Sequence, residues 1–131
     1  MLCTSTFLKV GARCARTSAV SRRGMGYVVV GDHSAFNKLE AAEDRKKVFY
    51  FTATWCPPCR MIAPIFEKMA AEHPDIDFCK VDVDDVPEAA AAYSVSGVPT
   101  FSFLQGKDKV NEIVGADEGA IRRGVAALEG L

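Results

Sequence analysis

The chain has 131 residues, 49% apolar and 25% charged, the composition of one globular domain with a real core and too short for two. No apolar run approaches the ~20 residues of a membrane-spanning helix, so no membrane partner is expected. The formal net charge of −1 averages two unlike parts.

Residues 1–31 contain no Asp or Glu and hold Lys9, Arg13, Arg16, Arg22 and Arg23 among scattered Ser and Thr. Without those five of the 16 cations, eleven face 17 acids, a net charge of −6. A basic, hydroxyl-rich, acid-free leader has the composition of an organelle presequence, and its arginines interrupt the apolar region a secretory signal needs. We expect residues 1–26 to be a transit peptide, cut after Arg22-Arg23 between Gly24 and Tyr27, and residues 27–131 to be the mature domain. Frequent Arg with moderate Ser and Thr favours a mitochondrial over a plastid address. The plainer reading is a basic tail without an address.

Tyr27 to Val30 reads as a short buried strand, broken at Gly31-Asp32. Phe36, Leu39 and Ala42 have helical spacing over Ser34 to Glu43, with Asp32 or Ser34 able to cap. Asp44 to Lys47 reads as a charged loop. Val48 to Ala53 is apolar on both faces, as a central strand requires. Pro57 to Glu72 reads as a long helix lined on one side by Met61, Ile62, Ile65, Phe66 and Met69, with a kink expected at Pro64. A strand follows over Ile76 to Val83, then an Ala-rich helix over Pro87 to Tyr93 and a loop over Val95 to Pro99. Two strands, Thr100 to Leu104 and Val110 to Val114, form a hairpin about Gln105 to Asp108. A helix over Asp117 to Leu128 closes the chain. The order is βαβαβαββα, without repeats.

Phe51 to Phe66 reads FTATWCPPCRMIAPIF, with two cysteines at Cys-x-x-Cys spacing after the single tryptophan of the chain. Structural zinc takes four N or S ligands. The pair supplies two, Cys79 stands alone in a strand, and His33 and His73 have no partner at ligand spacing, so no metal is expected. Of the five cysteines, Cys3 and Cys14 lie in the leader, leaving an odd count unlike a secreted disulfide framework. A structural bridge over two residues closes too small a loop to gain much. A redox pair suits the place, where a buried strand hands over to a helix. Unpaired N–H groups at that helix start favour a thiolate on Cys56, which can attack a disulfide. Cys59, one turn on, can reach the same sulfur. Pro57 and Pro58 are tolerated in the first helical turn and stiffen the loop.

Trp55-Cys56-Pro57-Pro58-Cys59-Arg60, together with Val98-Pro99-Thr100, Lys80-Val81-Asp82 and Gly115-Ala116, resembles the thioredoxin family over about residues 27–130. Pro57 stands where the commonest version has Gly. The stretch Phe49 to Ala53 is similar to the mitochondrial o-type members. The resemblance implies an α/β thioredoxin fold, a central mixed sheet flanked by helices on both faces. It implies that Cys56 is the nucleophile, Cys59 the resolving thiol, and Pro99 a cis proline beside them, although only about 5–6% of X–Pro bonds are cis. Trp55, Gly97, Val98, Pro99 and Gly115 would line a shallow groove for a substrate backbone. Tyr50 departs from the pattern, since the family usually has a buried Asp there that relays protons to the resolving cysteine. Tyrosine, with a reference pKa of about 10, is a poor base, so help must come from water held by Tyr50 or from the charge of Lys80.

Plainer readings stand beside these. Trp55 could be core filler rather than a half-exposed lid, Pro99 an ordinary loop proline, and Lys80 a solvated strand lysine. Cys79 reads as buried filler, His33, His73, Arg60 and Lys68 as surface residues, and Met61 and Met69 as core. The acidic run Asp82, Asp84, Asp85 and Glu88 lacks the spacing of a calcium loop. The expected activity is reduction of disulfides in partner proteins by a monomer without a prosthetic group, re-reduced by a thioredoxin reductase or a glutathione system. An acidic mature chain without a Gly-rich phosphate loop speaks against nucleic acid. The rivals are tryparedoxin- or isomerase-like exchange and a docking module without turnover.

Overall fold

A computed structural model describes residues 27–131; the expected transit peptide over residues 1–26, with Cys3 and Cys14, lies outside them. Nine elements follow the expected order. These are β1 (Tyr27–Val30), α1 (His33–Ala41), β2 (Lys46–Thr52), α2 (Pro57–Glu72), β3 (Ile76–Asp82), α3 (Pro87–Ala92), β4 (Thr100–Gln105), β5 (Asp108–Val114) and α4 (Glu118–Glu129). They build one five-stranded sheet in the order β1-β3-β2-β4-β5. β3 runs parallel to β1 and β2, while β4 is antiparallel to β2 and β5. The sheet is therefore mixed.

β2 lies at the centre because its apolar run can be buried on both faces. Val48 and Tyr50 join Phe78, Phe101 and Phe103 in a core with Ile62, Phe66 and Met69 of α2 and Ile121, Val125 and Leu128 of α4. Gly124 allows α4 to approach closely, since a Cβ there would meet the Phe103 ring at 2.7 Å. On the opposite face Phe49 and Phe51 pack with Cys79, Val81 and Leu104 against Phe36 of α1 and Ala89 of α3. Asp32 and Asp117 cap α1 and α4 by accepting the N–H groups of Ala35 and Ala120.

Three expectations need correction. Lys47 is not in a loop: it belongs to β2, is buried, and its Nζ donates to the carbonyls of Leu39, Glu40 and Ala42 at the end of α1. The ammonium satisfies the last acceptors of that helix, which is why a charge is tolerated there. β1 is an edge strand, and Val29 is 65% exposed rather than buried. Met61, expected in the core, is 75% exposed. The buried stripe of α2 runs through Cys59, Ile62, Phe66, Met69 and Ala70 instead, and places Met61 on the outer side. The helix continues through Pro64.

Candidate active site

β2 ends at Thr52, and the chain turns through Trp55 into α2. Cys56 is the N-cap residue of α2, with Pro57 and Pro58 opening its first turn, where a missing N–H leaves no bond unmade. Cys56 and Cys59 are joined as a disulfide with Cα atoms 5.3 Å apart. The Cys59 N–H points at the Cys56 sulfur, 3.3 Å away. That N–H and the start of the helix dipole favour negative charge on Cys56 when the bridge is open. Cys56 is 3% exposed and Cys59 1%, so both are buried and access to them depends on the surrounding surface.

Val98-Pro99 is a cis peptide. The Val98 carbonyl oxygen stands 3.6 Å from the Cys56 sulfur, a place where a reduced thiol can donate. Thr100 Oγ1 donates to the Gly97 carbonyl at 2.6 Å, and the Gly115 N–H donates to the Pro99 carbonyl at 2.8 Å. Gly115 has φ +108, a conformation only glycine adopts easily. Trp55, Gly97 and Val98 line one apolar depression of about 180 Å³ with Val83 and Val95. The sequence thus brought Trp55, Gly97, Val98, Pro99 and Gly115 to one end of the sheet. Trp55 is 63% exposed, so it is not core filler.

A second cleft, of about 330 Å³, opens on the other side of the pair. Tyr50, Thr52, Cys59, Arg60, Ala63, Lys80 and Asp82 line it. Tyr50 is fully buried, stacked on Phe101 with centroids 4.9 Å apart, and its hydroxyl donates to the Cys59 carbonyl at 2.8 Å. Burial pushes the ionisation of this phenol upward, partly offset by a hydrogen bond with Thr52. Tyr50 therefore anchors the turn that carries Cys59.

Sequence reasoning missed three participants. Asp84 accepts the Trp55 indole N–H at 3.1 Å and holds the ring. Thr52 and Asp82 line the inner cleft. Asp82 and Asp84 belong to the acidic run, and Asp82 also to the Lys80-Val81-Asp82 stretch that resembles the family; neither pattern points to the Trp55 indole or to the inner cleft. Arg60 is exposed as expected, and donates to the Thr54 carbonyl. His73 lies away from the site and pairs with Glu129. Cys79 is buried on the opposite face of the sheet. Among the described residues no group of three or more His, Cys, Asp or Glu side chains is placed to hold a metal ion.

The family model described as Thioredoxin matches residues 27–127. A thioredoxin H-type of Brassica campestris is 49% identical over 82 residues, which cover 61% of this chain and 67% of that protein. The structure of thioredoxin from Trypanosoma brucei brucei superposes with a TM-score of 0.78 at 30% identity, covering 87% of this chain and all of that one (100%). Oxidised mitochondrial thioredoxin 3 from Saccharomyces cerevisiae superposes with a TM-score of 0.71 at 33% identity, covering 77% and 94%.

Proposed function

The chain belongs to the thioredoxin family and performs dithiol–disulfide exchange through Cys56 and Cys59, and from that premise we propose a division of labour between the two sulfurs. Cys56 attacks. Its thiolate forms a bond to one sulfur of a protein disulfide, and the other substrate sulfur leaves and takes a proton. Cys59 then gives up its proton and attacks the Cys56 sulfur. The mixed disulfide breaks, the second substrate thiol leaves, and Cys56–Cys59 remains oxidised. Two electrons and two protons have passed to the substrate.

The observation that carries this assignment is the Cys59 N–H on the Cys56 sulfur at the start of α2. It stabilises a thiolate on Cys56. Trp55, Gly97, Val98, Pro99 and Gly115 are the groove for the substrate backbone, and the Val98 carbonyl and Gly97 region offer it main-chain partners. No prosthetic group is required, because the electrons reside on the two cysteines. The reductant is a flavoprotein thioredoxin reductase or a glutathione system, and peroxidases of the peroxiredoxin kind and metabolic enzymes are targets. The basic, acid-free composition of residues 1–26 supports delivery to mitochondria, and a reporter fused behind those residues should collect there; a reporter left in the cytosol overturns the address.

A Cys59→Ser variant tests the division of labour. It should accumulate covalent adducts on Cys56 from an organelle extract, released by dithiothreitol. Adducts that form equally on a Cys56→Ser variant reverse the roles. A reduction potential near the −270 mV of thioredoxin itself supports a reductase, and one near −180 mV an isomerase.

A further inference from the structure

Among the described residues no large apolar side chain is more exposed than Met61, at 75%. It stands on the helix that carries the reactive pair, and the exchange chemistry does not use it. Pro57, Pro58 and Pro64 are exposed as well. Each lies three or four residues from Met61, so all four share one side of α2. That side is distinct from the buried stripe through Ile62 and Phe66. One exposed apolar residue is ordinary on a protein surface, but this run begins between the two cysteines.

Side chains on a helix lean toward its amino end and cover the preceding turn. The Met61 thioether therefore lies over Pro57 and Pro58. Its backbone is five residues beyond Cys56, about 7.5 Å along the axis. A protein disulfide that bonds to Cys56 brings its own surface with it. Even a weak, transient contact covers about 600 Å² on each partner, a disc about 14 Å in radius. Centred on Cys56, such a disc reaches past Met61. A small disulfide covers no such area. A flexible, polarisable thioether also suits a surface that must fit many partners.

We propose that Met61 is a contact residue for protein targets and an oxidation site that weakens this contact, so that a hydroperoxide turns the protein from large disulfide substrates without disabling the exchange itself. The proposal rests on Cys56 being the sulfur that bonds the target. The oxidation balances. A lone pair of the Met61 sulfur attacks one peroxide oxygen, the S–O bond forms and the O–O bond breaks. The other oxygen leaves with both electrons of that bond and a proton, as water or an alcohol. The sulfur is oxidised by two electrons and the hydroperoxide reduced by two. The sulfoxide is polar, and a target that buries it without a full hydrogen-bond partner binds less well. Met69 is fully buried and is shielded from the same reagent.

Two substrates of different size separate contact from chemistry. The full chain in its disulfide form is treated with hydrogen peroxide and freed of it. Insulin turnover is then measured with dithiothreitol as donor. The reaction of pre-reduced protein with 5,5′-dithiobis(2-nitrobenzoate) is followed by stopped flow. Peptide mass mapping should find an added oxygen on Met61 before Met69. The KM for insulin should rise about three- to tenfold, the size expected for one polar group buried without a full partner. The small-disulfide rate and the urea midpoint should not move. Met61→Leu, compared with itself before and after peroxide, should show no rise. Met61→Gln should show a raised KM without peroxide. Oxidised Met61 with an unchanged insulin KM overturns the proposal. So does an equal rise in Met61→Leu, and so does a falling urea midpoint, which would make the loss one of structure. If insulin forms covalent adducts with Cys56→Ser and none with Cys59→Ser, the role given to Cys56 fails instead, and the two failures are distinct.

Discussion

On the face of the sheet covered by α1 and α3, Phe49, Phe51, Val81 and Leu104 meet Phe36 in continuous apolar contact, and the rings of Phe36, Phe49 and Phe51 all lie within 6.5 Å of one another or of Tyr93. The face under α2 and α4 starts the same way, with Val48, Phe66, Phe78 and Phe101. It then turns polar at Tyr50, Thr52, Lys80 and Asp82. Both faces belong to the same strands, so strand propensity does not separate them. The difference lies in what sits above. One face only holds helices, while the other also carries an open cleft beside the cysteine pair. Close packing is given up over the few residues where chemistry needs space.

The comparison can be broken most severely at the sulfurs. Cys56→Ser should abolish disulfide reduction while leaving the urea midpoint nearly unchanged, because the side chain is almost isosteric; retained partner effects would favour the docking reading. Phe49→Ala acts on the other face and should do the reverse. It should cost about 3–5 kcal/mol in urea unfolding, with activity per folded molecule preserved. A loss of activity without a loss of stability would deny that the faces divide the work. Lys47→Met should cost about 1–3 kcal/mol, since three carbonyls at the end of α1 lose their donor. On the opposite face, α2 and its cysteines should keep their exchange kinetics.

The smallest effect sharpens the comparison in pH. Burial raises the phenol ionisation of Tyr50 on one face and of Tyr93 on the other, the latter reinforced by a hydrogen bond to Glu40. In the unfolded chain both ionise near their ordinary value of about 10. Their stabilising contribution is complete below that value and is lost as pH rises from there toward the folded-state value. Unfolding measured from pH 9 to 11 should show stability declining, by about 1 kcal/mol or less per tyrosine at pH 11. Tyr93→Phe should flatten the decline. An unchanged slope would mean that Tyr93 is already solvated.

How far this division could be read beforehand depends on sequence distance. The bounds of α2, the caps at Asp32 and Asp117, and the joining of Cys56 to a helix start are local, and local patterns carry them. The cis bond before Pro99 was carried by the family resemblance alone. Met61 was misplaced because Met61 and Ile62 are both apolar, and periodicity does not choose between stripes about 100° apart; the sheet beneath α2 does. Lys47 looked like loop because its partners are carbonyls, which leave no mark in side-chain identity. The patch under Cys59 joins residues some 30 positions apart through strand register. Nothing near Thr52 announces Asp82. Tyr50 was noticed as a departure, but its bond to the Cys59 carbonyl needs the turn to be in place first.

The outermost position of β1 has a mechanical consequence. This four-residue strand is held in the sheet through β3 alone, while the sulfurs ride on the link between β2 and α2. A force applied at Tyr27 should peel away the rim of the sheet before it reaches the strands that carry the thiols. Machinery tugging on the amino-terminal side would therefore meet its weakest resistance first, and a cut just ahead of this strand would release load from the rim without touching the catalytic turn.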